Sequence, residues 1–157
     1  FAQPGNGLGG TIQGIELGLQ HDFGGFGVSA NYTYTDASAD EQRDTNQVGS
    51  GLVEGTSKNM LNLMAYYEND AYQARIMYNY RSDWYKGLHF NGDELFNDAF
   101  GQWDASASYN VNEYVTLTLE AVNLTDEEIV EYNTNEERIM SIYSNGRRYV
   151  AGIRVNF

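Results

Sequence analysis

The residues best equipped for recognition lie in one stretch, Asp83-Trp84-Tyr85-Lys86-Gly87-Leu88-His89-Phe90-Asn91-Gly92-Asp93. Aromatic faces are interleaved there with amide and carboxylate groups. A polyhydroxylated ligand is held by that mixture, its apolar face stacking while its hydroxyls take directed hydrogen bonds. Trp84, Tyr85, Asn91 and Asp93 are the ligand-binding candidates. The plainer reading is an interfacial aromatic cluster beneath a mobile tip. A second concentration, Asp126-Glu127-Glu128 with Glu131, Glu136 and Glu137, has oxygens enough for calcium but lacks the spacing of a calcium loop. It reads as a solvated, self-repelling loop. The two histidines, His21 and His89, are far apart and there is no cysteine, so no metal site and no disulfide framework is expected. No base and nucleophile stand in a catalytic pattern, so neither enzyme activity nor a cofactor is expected. The triplets Asn31-Tyr32-Thr33 and Asn123-Leu124-Thr125 fit the N-glycosylation pattern by accident.

Composition narrows what could position these residues. The chain has 157 residues, a formal net charge of −13, thirteen tyrosines, seventeen glycines and one proline. Aromatics favour strands while Gly and Asn punctuate them, which is an all-β bias. The acidity argues against nucleic acid, whose partners carry a basic footprint. No run of about 18 apolar residues offers a transmembrane helix. A negative mean hydropathy normally indicates a soluble chain, but a membrane β-barrel also averages low because only alternate residues face lipid. The opening Phe1-Ala2-Gln3-Pro4-Gly5 has no basic or apolar leader region, so no signal peptide is visible.

Period two decides between these readings. Tyr149, Ala151, Ile153, Val155 and Phe157 share one face against Arg148, Val150, Gly152, Arg154 and Asn156. Trp103, Ala105, Ala107 and Tyr109 oppose Gln102, Asp104, Ser106 and Ser108; Tyr72, Ala74, Ile76, Tyr78 and Tyr80 oppose Gln73, Arg75, Met77, Asn79 and Arg81. The pattern predicts seven strands, at about 10–20, 26–35, 58–68, 72–81, 100–110, 114–124 and 146–157. Ten residues is the length that crosses a bilayer at a tilt. Short connections rich in Asn, Asp and Gly alternate strictly with long polar ones at 36–57, 82–99 and 125–145. Short periplasmic turns and long extracellular loops produce that asymmetry, whereas a soluble β-sandwich has no reason for it. It directs the last strand inward, with Phe157 at the periplasmic side. Tyr32, Tyr34, Tyr78, Tyr80 and Trp103 fall near the loop ends, and Phe26, Tyr67, Tyr72 and Tyr109 near the turn ends, as interfacial girdles require. Seven strands cannot close a barrel whose bacterial members have even counts, so the chain is expected to be part of something larger.

Several segments then acquire a common meaning: Gly10-Thr11-Ile12-Gln13-Gly14-Ile15-Glu16-Leu17, Gly27-Val28-Ser29-Ala30-Asn31-Tyr32-Thr33-Tyr34-Thr35, and Phe100-Gly101-Gln102-Trp103-Asp104-Ala105-Ser106-Ala107-Ser108-Tyr109. With Asn123-Leu124-Thr125-Asp126-Glu127 and Gly146-Arg147-Arg148-Tyr149, they resemble, in order and spacing, the C-terminal part of the β-barrel of TonB-dependent receptors. The nearest pattern is that of the proteobacterial subgroup first noticed in Xanthomonas and Caulobacter relatives. The resemblance implies an all-β fold, about the last seven strands of a 22-stranded barrel in the Gram-negative outer membrane, surrounded by lipid bilayer and filled by a plug. It also implies active uptake of a scarce nutrient, energised by the TonB complex through the plug. No plug residue lies in this chain. Many members of the subgroup are associated with carbohydrate uptake, which makes an oligosaccharide the expected ligand. A non-transport barrel serving as adhesin or binding module is the alternative. Outer-membrane proteins commonly end in a signal read by the barrel-assembly machinery; Gly152, Val155 and Phe157 fit it, while Val150 stands where a polar residue is usual. The aromatic ending suggests a natural C-terminus.

Overall fold

Alternation along single strands becomes a continuous wall when the strands are laid side by side. A computed structural model describes residues 9–39, 43–44, 47–48 and 51–157; the leader reading at Phe1–Gly5 falls outside them. Thirteen strands and no helix occur among the described residues: β1 (Gly10–Asp22), β2 (Phe26–Ala39), β3 (Arg43–Asp44), β4 (Gln47–Val48), β5 (Asn59–Glu68), β6 (Tyr72–Arg81), β7 (Trp84–Leu88), β8 (Glu94–Asn97), β9 (Phe100–Asn110), β10 (Val115–Val122), β11 (Glu128–Asn133), β12 (Asn135–Ser144) and β13 (Arg148–Val155). Seven form one antiparallel sheet in the order β1-β2-β5-β6-β9-β10-β13, so the all-β, antiparallel expectation holds.

Register carries the apolar face from strand to strand without a slip. One row runs Leu17, Tyr32, Leu61, Tyr80 and Gly101; a parallel row runs Leu19, Ala30, Leu63, Tyr78 and Trp103. On the same face, toward the other edge of the sheet, Ile76 meets Ala105, then Ala121, then Tyr149. A slip of one residue would turn each apolar set to the polar face, so the pattern specifies the pairing strongly. Among the described residues neither face is covered by a second layer. Among the described residues the buried apolar side chains are Tyr85 and Tyr132, neither in the seven-stranded sheet, while Leu17, Leu19, Ile76, Leu119 and Ile153 stand exposed. A sheet with one apolar and one polar face and no core of its own needs an apolar solvent on one side.

The ends of the wall differ as the connections foretell. At one end three tight turns are each closed by a carboxylate or amide. Asp22 Oδ1 accepts from Gly24 N at 2.7 Å; Asn69 Oδ1 accepts from Ala71 N and Tyr72 N; Asn112 Oδ1 accepts from Tyr114 N and Val115 N. These Asx turns need only short side chains and tolerate no length. Tyr72 and Tyr109 stack there at 4.8 Å, and Tyr78 packs on Trp103 at 4.7 Å toward the opposite end. On the polar face the Tyr66 ring lies over Gly27, its cross-strand partner, and the phenol donates to Asp22 Oδ2 at 3.0 Å. Any Cβ at Gly27 collides with that ring. Gly27→Val should therefore lower stability by about 1–3 kcal/mol. In denaturant titrations the double variant with Tyr66→Ala should lose less than the two single losses added together.

The long connections are not structureless. Those at 82–99 and 125–145, read from sequence as loops, contain a second antiparallel sheet in the order β12-β11-β8-β7. It stands on the loop end of the wall and holds the candidate residues.

Candidate functional site

Two adjacent rows cross the loop sheet and, by strand alternation, face opposite ways. One carries three aromatic rings and ends on an aliphatic residue: Tyr85, Phe96, Tyr132 and Ile139. Tyr85 lies 5.6 Å from Phe96, and Phe96 stacks on Tyr132 at 5.4 Å. Burial pushes the Tyr132 phenol upward, helped by the carboxylates of Asp83, Glu136 and Asp98, so it stays neutral. The other row is Trp84, Asn97, Glu131 and Ser141. Glu131 is buried and ion-paired with Lys86, and Tyr143 Oη lies 3.5 Å from its second oxygen. The acidic run is thus not wholly solvated: Lys86 reaches one of its members across 45 positions of chain and makes its burial tolerable.

The four sequence candidates fall in two places. Trp84 lies under the Arg81 guanidinium, 3.7 Å from the ring centroid. The same guanidinium donates from Nε to Ser57 Oγ at 2.8 Å and from a terminal nitrogen to Gly55 O at 2.9 Å. Arg81 thereby staples the segment before β5 to the start of β7. Tyr85 is 7 % exposed and its carbonyl accepts from Gly55 N at 2.8 Å. Its ring belongs to the aromatic row and is not offered to solvent.

Asn91 and Asp93 sit at the hairpin between β7 and β8. His89 N donates to Asp93 O and Gly92 N to His89 O, which closes the turn. Asn91 Oδ1 lies 2.9 Å from His89 Nδ1, and Asn91 Nδ2 donates to Asp93 Oδ2 at 3.0 Å. The same oxygen accepts from Asn133 Nδ2 at 2.9 Å and lies 3.5 Å from an Arg138 nitrogen. Asp93 therefore latches this hairpin to the turn joining β11 and β12. Beside it the Phe90 ring is 93 % exposed. Hydrogen bonds from Asn133 and Asn91, with the nearby Arg138 and His89 charges, hold the Asp93 carboxyl below its ordinary range. A depressed folded value means the latch contributes fully above the ordinary carboxylate range and is lost as pH falls through the lower, folded value. Limited proteolysis of the hairpin should be pH-independent near neutrality and accelerate only in strong acid, whereas Asp93→Asn should be cut faster near neutrality and converge with the native chain in strong acid.

Sequence reasoning placed Asn123 in a motif without giving it a role; it is 4 % exposed with φ 58°. Its side chain donates to Glu127 O at 3.0 Å and to Gly146 O at 3.4 Å, and accepts from Glu127 N at 2.8 Å. Its own N–H reaches Asp104 Oδ1 at 2.9 Å. One amide thus fixes where β10 ends and how the long connection leaves and returns. Asn97 is the reverse: 6 % exposed, with an Oδ1 that has no hydrogen-bond partner among the described residues. At the far end Gly152 lies opposite Thr118 and Val155 opposite Val115, while Phe157 stands fully exposed beyond β13. Among the described residues no group of His, Cys, Asp and Glu could hold a metal ion.

Comparisons with known proteins agree with this geometry. Residues 2–124 match the β-barrel of the TonB dependent receptor-like family, and the chain belongs to that family. Among solved structures, the siderophore receptor PiuA from Acinetobacter baumannii shares the fold, with a TM-score of 0.67 and 23% sequence identity. The match covers 92% of this chain and 21% of that receptor, so the chain spans about a fifth of its relative. No curated protein matches the chain.

Proposed function

We propose that this chain forms part of the wall and outer rim of a Gram-negative outer-membrane receptor that imports a scarce nutrient, driven through TonB by a plug held elsewhere in the protein. The observation that carries this reading is the unbroken apolar face across seven strands, with tight turns at one end and a built recognition sheet at the other. A 22-stranded barrel is the closed form that the seven strands would complete. Gly152, Val155 and Phe157 would then serve assembly, presenting the edge of β13 to the barrel-assembly machinery.

The ligand we propose is neutral and polyhydroxylated, an oligosaccharide. Charge supports this choice. Asp83, Asp126, Glu128, Glu136 and Glu137 are exposed on the loop side. Four of the cations there are engaged: Arg81 on Trp84, Lys86 on Glu131, Arg138 at Asp93 and Arg147 on Leu124 O. An anionic ligand enters against that field, whereas a neutral one is indifferent to it. The order of the motifs supports the Xanthomonas and Caulobacter type of receptor, where carbohydrate uptake is common. The second reading is a ferric siderophore, favoured by the likeness to PiuA, a siderophore receptor; at 23% identity that likeness carries the fold alone. Asn91 and Asp93 would contact the ligand beside Phe90, with Trp84 and Tyr85 supporting them from below.

Calorimetry on the whole receptor with neutral oligosaccharides and with ferric siderophores separates the two. The proposal expects oligosaccharide binding, weakened about tenfold by Asn91→Ala as a lost ligand hydrogen bond, and uptake that stops without TonB. Siderophore binding with no oligosaccharide binding would replace the first reading by the second.

A further inference from the structure

The loop sheet ends on β12, which has β11 on one side and no strand on the other among the described residues. Open edges invite pairing with another chain and are usually blunted by lysine, proline or a bulge. β12 contains neither lysine nor proline. Its bulge lies at Met140, where the partners of Glu131 and Tyr132 jump from Ser141 to Ile139, and the ladder is regular from Ser141 to Ser144. This stretch is uncharged, and Ile142 and Tyr143 are 53 % and 48 % exposed. Acids lie around it, Glu136 and Glu137 before it and Glu128 of β11 opposite Ser144, while Arg147 beyond it is turned to Leu124 O. The base of the strand, Arg138, turns instead to Asp93.

We infer that the free edge of β12 accepts an extended polypeptide as a fifth strand, one with an uncharged β-branched centre and lysine or arginine at both ends. Main-chain hydrogen bonds to Ser141–Ser144 would give affinity, and the surrounding carboxylates would give polarity and register. A strongly acidic rim repels most polypeptides of like charge and draws in a cationic one. Ser141–Ser144 lie past the bulge from the place where β12 meets the β7–β8 hairpin at Arg138 and Asp93, and their occupancy does not depend on which nutrient the receptor imports.

The test uses the complete receptor in detergent and a fluorescent peptide, Lys-Lys-Val-Thr-Val-Thr-Lys-Lys, followed by anisotropy. Binding is expected, with a loss of about two- to five-fold for each of Glu128→Gln, Glu136→Gln and Glu137→Gln, the worth of an exposed ion pair. The same peptide N-methylated along one edge should not bind, because it keeps every charge and loses the ladder donors. Ile142→Pro and Tyr143→Pro are tested separately, since successive N–H groups point to opposite sides and one of the two lies on the open edge. Equal binding of the N-methylated peptide would reduce the effect to ionic adhesion and overturn the inference. So would absence of binding to the complete receptor, which would mean that the edge is covered within the same molecule.

Discussion

Replacing Asn123 with leucine is expected to lower stability by about 2–4 kcal/mol. The figure combines about 1–3 kcal/mol for buried polar groups left without partners and about 1 kcal/mol or more for a non-glycine residue held in the left-handed region. The groups orphaned would be the Glu127 N–H and carbonyl and the Gly146 carbonyl, which converge on the Asn123 amide. Asn123→Gly separates the two causes, because it relieves the φ of 58° and still removes the hydrogen bonds. It should recover part of the loss and not all of it. Unfolding titrations in detergent give the size. Protease cleavage within 125–147 gives the location, since freeing this hub should open the β11–β12 hairpin before the wall is affected.

An arginine in place of Ile76 should be the most damaging change within the wall. Ile76 is at the centre of β6 on the apolar face, between Ala65 and Ala105. A guanidinium at the bilayer midplane costs about 2–4 kcal/mol. Met77, one residue along, points to the polar face beside Met64 and Asp104. Met77→Arg should cost little, within about 1 kcal/mol, as a polar-face substitution near a carboxylate. The pair is measured by unfolding from lipid vesicles and by the fraction of receptor assembled in membranes. Equal losses at the two positions would mean that the faces are not in different solvents.

These two positions also show what a single sequence reveals. Ile76 and Met77 are assigned to opposite faces by period two alone, because alternation is local and each strand repeats it for about ten residues. Alternation also rules out one-residue slips, which would mix the faces, but slips of two keep them, so the register itself is a tertiary fact. The loop sheet was hidden because its strands are short and irregular. Its ladders shift between Tyr85 and Gly87 and twice along β11, which destroys the alternation that marks a strand in sequence. Its charges are ordered by partners 40 or more positions away, as in Lys86 with Glu131 and Asp93 with Asn133. The composition of 83–93 made Trp84 and Tyr85 conspicuous, yet their roles depend on Arg81 and Phe96, which no spacing rule connects to them. Asn123 was legible only as part of a motif; its left-handed turn and its buried amide contacts are tertiary facts.

Spin-label accessibility along β9 is the direct test of the central claim; this chain contributes no cysteine, and any cysteine elsewhere in the receptor is replaced by serine before labelling. Single cysteines from Gln102 to Asn110, labelled in the complete receptor in lipid vesicles, would be read for collision with oxygen, which concentrates in lipid, and with a water-soluble nickel complex. The account predicts oxygen maxima at Trp103, Ala105, Ala107 and Tyr109, with low oxygen accessibility at Asp104, Ser106 and Ser108. A profile without period two, or nickel access on both faces, would contradict a bilayer-facing wall and return the chain to the class of water-soluble β-domains.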